Sequence, residues 1–313
     1  MKHLLNRLRL PKCLGFTSIL CAVIVCSQGL ALPLAAEDGK SPTLEKIART
    51  KTITIGHRQD ELPFSYVTPD GVARGYSIEL CEKIAEHIRQ TLKLDTIKVD
   101  YVVATPATRF LLVKSGKIDM ECSATTNNAE RREQVAFSYP HFITATRFVS
   151  KKSSNLKTIR DLAGRTVAST TGTINIAQLQ NLNRAEKLNI SVLIAKLNSE
   201  AFAMVENNRA SAFVMDDVLL AANVAFSGSP EDYVVSKEAF GPPEPYGILL
   251  PKGDEAFKTL VNEALFLMFT GGEAEAIYNK WFMSAVPPDN RNFNLPLSPE
   301  LKAAFKEPKE YLQ

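Results

Sequence analysis

No acidic residue occurs before Glu37, and cysteine, histidine and tryptophan are scarce along the whole 313-residue chain. There are five Cys, four His and one Trp, and three of the cysteines (Cys13, Cys21, Cys26) lie in the acid-free stretch. His57, His87 and His141 are scattered without metal-ligand spacing. A Gly-x-Ser-x-Gly elbow and a phosphate-binding loop are both missing, so no motif supplies a nucleophile or a nucleotide site. Beyond residue 36 no segment approaches the ~18 continuous apolar residues of a membrane-spanning helix.

The acid-free start has a pattern of its own. Lys2, Arg7, Arg9 and Lys12 precede an apolar run from Cys13 to about Leu32, followed by small residues at Gly29, Ala31, Ala35 and Ala36. This predicts a secretory signal over 1–36, cleaved after Ala31 or near Ala36. The run is long, so an uncleaved anchor is the alternative. No small-residue lipobox precedes Cys13, Cys21 or Cys26, which argues against a lipoprotein. Without the four signal-segment bases, 33 basic residues face 34 acidic ones. A nearly neutral mature chain has no general attraction to nucleic acid or anionic lipid. Cys81 and Cys122 remain, and an oxidising compartment would let them pair if the fold brings them close enough.

About 277 mature residues exceed what one core usually serves, so two lobes are expected. Alternating periodicity predicts strands over 52–56, 97–103 and 118–122 and helices over 76–89 and 107–114. A second series repeats the alternation: strands over 166–169, 190–195 and 212–215, with helices over 174–182 and 200–207. The extended 141–148 stretch and the Pro/Gly-rich 241–247 stretch suit passages between lobes. Helices over 257–269 and 273–282 follow. This is an α/β architecture of two related halves.

Ligands of open α/β sheets sit beyond the carboxyl ends of strands. Two such ends carry chemistry: Ser123-Ala124-Thr125-Thr126-Asn127-Asn128-Ala129-Glu130-Arg131 and Met215-Asp216-Asp217. Asn127 and Glu130 fit a capping box that places Arg131 in a first helical turn, where backbone N–H groups and a guanidinium favour a carboxylate. Of the two aspartates, one caps the following helix and the other, expected to be Asp216, holds an ammonium. Thr125 and Thr126 add hydroxyls. Arg58 and Arg109 stand at comparable strand ends, and three guanidiniums together point to a ligand with two carboxylates. Phe64 and Tyr66 could wall the site or pack a lobe.

These residues resemble the periplasmic substrate-binding proteins of ABC importers for polar amino acids, closest to the glutamate/aspartate-binding group. The resemblance spans nearly all of the mature chain. It rests on Gly56-His57-Arg58, Pro63-Phe64-Ser65-Tyr66, Gly75-Tyr76-Ser77, Thr125-Thr126-Asn127-Asn128 with Glu130-Arg131, Met215-Asp216-Asp217, Lys237-Glu238-Ala239, Lys280-Trp281-Phe282 and Ala304-Phe305-Lys306-Glu307-Pro308. It implies a two-lobed type II binding-protein fold with two hinge strands. Lobe 1 is expected over 37–140 and 247–313, lobe 2 over 146–241, and the crossovers over 141–145 and 242–246. It further implies that Arg131 and Thr126 take the α-carboxylate, Asp216 the α-ammonium, and Arg58 and Arg109 the distal carboxylate, with Thr173 and Asn198 also at the ligand. Pro106, Ala124 and Ile174 stand where that group often has hydroxyl contacts, and Asn198 where histidine is frequent. These departures imply a reshaped pocket that keeps charged contacts and loses neutral ones.

The expected protein is thus a periplasmic, monomeric solute-binding protein without cofactor. It would deliver an acidic amino acid, or a related dicarboxylate or modified amino acid, to a membrane permease. The rival from another class is a periplasmic cyclic-acid dehydratase on the same fold, for which Glu61 or Glu244 would have to serve as the added acid.

Overall fold

Two five-stranded sheets of matching build organise residues 40–312, the part of the chain described in a computed structural model. The expected signal segment, 1–36, lies outside the described residues. In the first sheet the strand order is Lys98–Val103, Thr52–His57, Met120–Glu121, Leu249–Leu250, Ala136–Phe137. In the second it is Ser191–Ala195, Thr166–Thr170, Ala212–Asp216, Thr146–Lys151, Tyr233–Val235. The first three strands of each are parallel, in register from Thr52↔Lys98 and Thr166↔Ser191. The fourth strand runs against both its neighbours.

The reversed strands arise from how the chain changes sheets. After Ala136–Phe137 it passes through Phe142–Thr144 and enters the second sheet as Thr146–Lys151. It returns through Glu244–Tyr246 and re-enters the first sheet as Leu249–Leu250. The two passing segments pair antiparallel, Glu244 with Thr144 and Tyr246 with Phe142. Pro245 fits such a short, isolated ribbon, where a missing donor costs little.

Burial explains the composition of the parallel strands. Ala212–Asp216 (AFVMD) is buried at every position, as expected of a strand covered on both faces. The helix Tyr76–Thr91 buries Ile78, Leu80, Cys81, Ile84, Ala85 and Ile88, the face its periodicity predicts. Cys81 on that helix and Cys122 beside Met120–Glu121 form a disulfide, with Cα atoms 6.4 Å apart. At Gly75 the helix starts with φ 137°, and an added Cβ would lie 2.2 Å from the Phe64 carbonyl oxygen, so only glycine fits.

Two elements are shorter than their apolar pattern. The helix expected from residue 107 begins at Arg109, because Thr105 and Thr108 bond each other's hydroxyl and backbone groups as a turn. The strand expected over 118–122 is only Met120–Glu121.

Candidate functional site

The parallel strands of both sheets end around one small cavity. Arg58, Glu61, Arg109, Ala124, Thr126 and Arg131 line it from segments that follow first-sheet strands. Thr173, Ile174, Asn175, Met215, Asp216 and Leu219 line it from the second.

Arg58 immediately follows Thr52–His57, and its N–H donates to Ser65 Oγ (2.9 Å). Its Nη1 lies 2.6 Å from Glu61 Oε1, with the two side chains 3% and 5% exposed. The other Glu61 oxygen accepts from Ala124 N–H (3.1 Å). Burial pushes the Glu61 carboxyl up to about 7, against the pull of Arg58 and assisted by the neighbouring Glu121. Arg109 opens the helix Arg109–Lys114 and donates to the Pro106 carbonyl and, across to the second-sheet side, to the Gly172 carbonyl (3.2 Å). Gly172 has φ +71° and its hypothetical Cβ would sit 2.7 Å from the Pro106 oxygen, so a glycine permits this close approach. Burial, with Arg131 nearby, lowers the Arg109 guanidinium to about 9. Arg131 donates to the Thr126 carbonyl (2.9 Å), and burial lowers its pKa while Asp216 opposes that shift. The Phe110 ring lies 4.7 Å from the Arg109 guanidinium carbon and 5.5 Å from that of Arg131, cation–π contacts for both.

Facing them, Asp216 ends its strand with a buried carboxylate. It accepts from Tyr246 Oη (2.5 Å), Asn175 Nδ2 (2.7 Å) and Thr146 Oγ1 (3.4 Å). Burial raises its pKa, and the Tyr246 and Asn175 hydrogen bonds pull it back. Asp217 turns elsewhere: it accepts from Thr144 Oγ1 (2.7 Å), from Val218 N–H (2.8 Å) and from Arg147 Nε (3.3 Å). Of the paired aspartates, Asp216 is the one in the cavity.

Of the residues expected at a ligand, Arg58, Arg109, Thr126, Arg131, Thr173 and Asp216 line the cavity; four do not. The Thr125 hydroxyl is bonded to Glu121 Oε2 (3.0 Å) and Ser123 Oγ (3.1 Å). Side chains alternate along extended chain, so Ser123 and Thr125 face Glu121 while Ala124 and Thr126 face the cavity. Asn198 Oδ1 accepts from Thr170 Oγ1 (2.8 Å) and is spent inside the second-sheet half. Phe64 sits among the rings of Tyr76, Phe142, Tyr246 and Phe282. Tyr66 packs on Trp281 and donates to the Pro287 carbonyl (2.7 Å). Both aromatics pack against other rings, and neither is among the residues lining the cavity.

The expected capping box also shifts by one residue. The N-cap is Asn128, whose Oδ1 accepts from Arg131 N–H (2.9 Å), and the helix is the single turn Ala129–Arg132. Asn127 instead bonds Arg132 Nη1 and the Tyr311 carbonyl. Glu61, expected only as the added acid of the rival reading, and Asn175 and Tyr246, not expected at all, surround the binding groups. The Arg58-x-x-Glu61 spacing was a visible signal for the first. The other two depend on tertiary placement.

Two α/β halves, joined by two passing strands and sharing a charged cavity at their strand ends, define a two-lobed type of solute receptor. The chain belongs to the bacterial extracellular solute-binding proteins, family 3, matched over residues 53–284. It is 41% identical over 294 residues to an L-glutamate/L-aspartate-binding protein of Pseudomonas aeruginosa, covering 93% of this chain and 96% of that one. It is 37% identical over 296 residues to a glutamate/aspartate import solute-binding protein of Escherichia coli K12, covering 92% and 97%. The solute receptor for L-cysteine of Neisseria gonorrhoeae superposes with a TM-score of 0.68 at 26% identity, covering 77% and 94%. The fold is the two-lobed type II periplasmic binding-protein fold. The protein is a solute-binding protein of the transport type and not an enzyme.

Proposed function

We propose that this protein captures an acidic amino acid, L-glutamate, L-aspartate or a near relative, in the periplasm and delivers it to an ABC permease. The chain acts as a monomer after loss of the 1–36 signal. Lobe 1 comprises 37–140 and 247–313, lobe 2 comprises 146–241, and 141–145 with 242–246 are the crossovers that bend on closure. Arg131 and Thr126 bind the α-carboxylate, Asp216 the α-ammonium, and Arg109 with Arg58 the distal carboxylate.

One observation carries this reading. Three guanidiniums but only two carboxylates line the cavity, and Arg109 and Arg131 donate to carbonyl oxygens, not carboxylates. A ligand with two carboxylates and one ammonium brings acceptors for the buried Arg58 Nη2 and Arg109 Nε, which have no hydrogen-bond partner among the described residues, whereas a neutral amino acid leaves guanidinium donors unpaired. The names of the two relatives point the same way.

A thermal-shift screen of amino acids and dicarboxylates tests it. Ligand at a hundred times Kd stabilises the folded state by about 2.7 kcal/mol, so L-glutamate or L-aspartate should raise Tm by several degrees. Neutral amino acids that raise it equally would sink the distal-arginine assignment.

A further inference from the structure

Glu61 occupies the place where the distal carboxylate of such a ligand has to arrive. Its carboxylate is already seated on Arg58, buried and 2.6 Å away, and is steadied by the Ala124 N–H. It lines the same cavity as Arg109 and Arg131. A ligand carboxylate reaching Arg58 therefore meets a second carboxylate at one guanidinium. With Arg131 and Asp216 matched to the ligand's α-groups, Glu61, the buried Glu121 beside it and the ligand carboxylate are three anions around Arg58 and Arg109, and one of them takes a proton.

The surroundings do not relieve that conflict. Asp60 adjoins Glu61 on its own strand Asp60–Glu61, and Glu121 on Met120–Glu121 adds negative charge beside it. Arg58 is its cation at contact distance, Arg109 acts on it from the helix Arg109–Lys114, and Tyr246 on the strand Glu244–Tyr246 feels its charge while donating its hydroxyl to Asp216. Glu121 is held by the Ser123 and Thr125 hydroxyls and cannot swing away to make room.

We propose that binding of an acidic amino acid is coupled to uptake of one proton by Glu61, which makes Glu61 the residue that sets the pH dependence of capture. The inference rests on the acidic-ligand reading above. The proton comes from solvent and ends on a Glu61 carboxylate oxygen; no covalent bond to the ligand forms. Neutral Glu61 frees the charge of Arg58 for the ligand, and its O–H becomes a donor to the incoming carboxylate. Burial already holds this carboxyl up at about 7, so the proton is within reach near neutral pH. Neutral ligands bring no second carboxylate and take up no proton.

The test is calorimetry of L-glutamate binding to the intact protein at pH 6 and pH 8, repeated in phosphate and Tris, whose ionisation heats differ. Affinity should be about tenfold weaker at pH 8, following the protonated fraction of a group titrating near 7. The buffer difference at pH 8 should report uptake of close to one proton. Glu61→Gln should bind glutamate with one and the same affinity at pH 6 and pH 8, whatever that affinity is, and without proton uptake. Equal affinity at the two pH values with no proton uptake overturns the proposal, and that measurement needs no variant. A Glu61→Gln protein that keeps the full slope also overturns it, by assigning the proton to another group. Failure of glutamate and aspartate to bind at either pH, while a neutral amino acid does, removes the acidic-ligand reading itself.

Discussion

On the second-sheet side of the cavity, the Asp216 carboxylate accepts from three neutral donors, Tyr246, Asn175 and Thr146. On the first-sheet side, Arg109 and Arg131 lean on carbonyls, and Arg58 Nη2 and Arg109 Nε, both buried, have no hydrogen-bond partner among the described residues. Neutral donors orient the anion without cancelling its charge. The guanidiniums retain donors for an incoming oxygen. Buried polar groups are ordinarily paired, so the unused donors mark the arginine side as the one that gains most when an anion arrives. Affinity and the choice among ligands should therefore depend more on the first-sheet side than on the hydrogen bonds that orient Asp216.

That asymmetry can be broken by substitution. Removing Arg131, the arginine assigned to the group all amino acids share, should cost about 3–5 kcal/mol for every ligand, since Asp216 would lose its facing cation. Calorimetry on Arg131→Ala should then find the affinity for glutamate and for glutamine lowered by about 10²–10³-fold or more; retention of either within tenfold would overturn the α-carboxylate role. Arg109→Ala should cost about 1.5–3 kcal/mol for glutamate, the worth of a hydrogen bond to a charged group, and much less for glutamine. An equal loss for both would place Arg109 at the α-carboxylate instead. Tyr246→Phe removes one of the three donors to Asp216 and should weaken all ligands by about 0.5–1.5 kcal/mol. If Tyr246→Phe proved more damaging than Arg109→Ala for glutamate, the two sides would have to be ranked the other way.

Much of this frame was legible from side-chain chemistry at strand ends. The strands at 52–56, 166–169 and 212–215 and the buried face of the 76–91 helix follow from apolar periodicity; Arg58 and Asp216 follow from position at a strand's end, and Arg131 from its place in the capped turn that comes after one. Thr125 was lost through the period of two: adjacent residues on extended chain cannot both face one ligand, and Thr126 has the cavity side. Phe64, Tyr66 and Asn198 could not be placed because an aromatic or amide beside a strand end packs inward or lines a pocket according to its distant neighbours. For Phe64 these are Phe142 and Phe282, remote in the chain. The Cys81–Cys122 bond likewise depends on a helix lying over a strand end, which spacing alone does not convey. Glu61 was visible three residues from Arg58, but its importance appears only once both are buried beside two more arginines.

The smallest effect concerns the anion side without ligand. Glu244, at the start of the returning strand, accepts from Gln178 Nε2 (3.2 Å). Burial and the nearby Asp216 raise its carboxyl to about 7, against Gln178 and Arg131. A carboxyl whose folded pKa exceeds its ordinary value of 4.5 binds more protons folded than unfolded across that interval. Its contribution to stability therefore falls as pH rises from about 4.5 to 7 and stays low above. Buried His141, lowered to about 4, works in the opposite direction between there and 6.5, so total stability is a poor readout. Comparing Glu244→Gln with the natural protein cancels that background: its Tm advantage should be near zero at pH 5 and grow toward pH 8. Adding a tight ligand should shrink the advantage, because a bound ammonium beside Asp216 also offsets the charge of Glu244. An advantage independent of pH would mean that Glu244 is ionised throughout and that the anion side carries no excess charge for an ammonium to relieve.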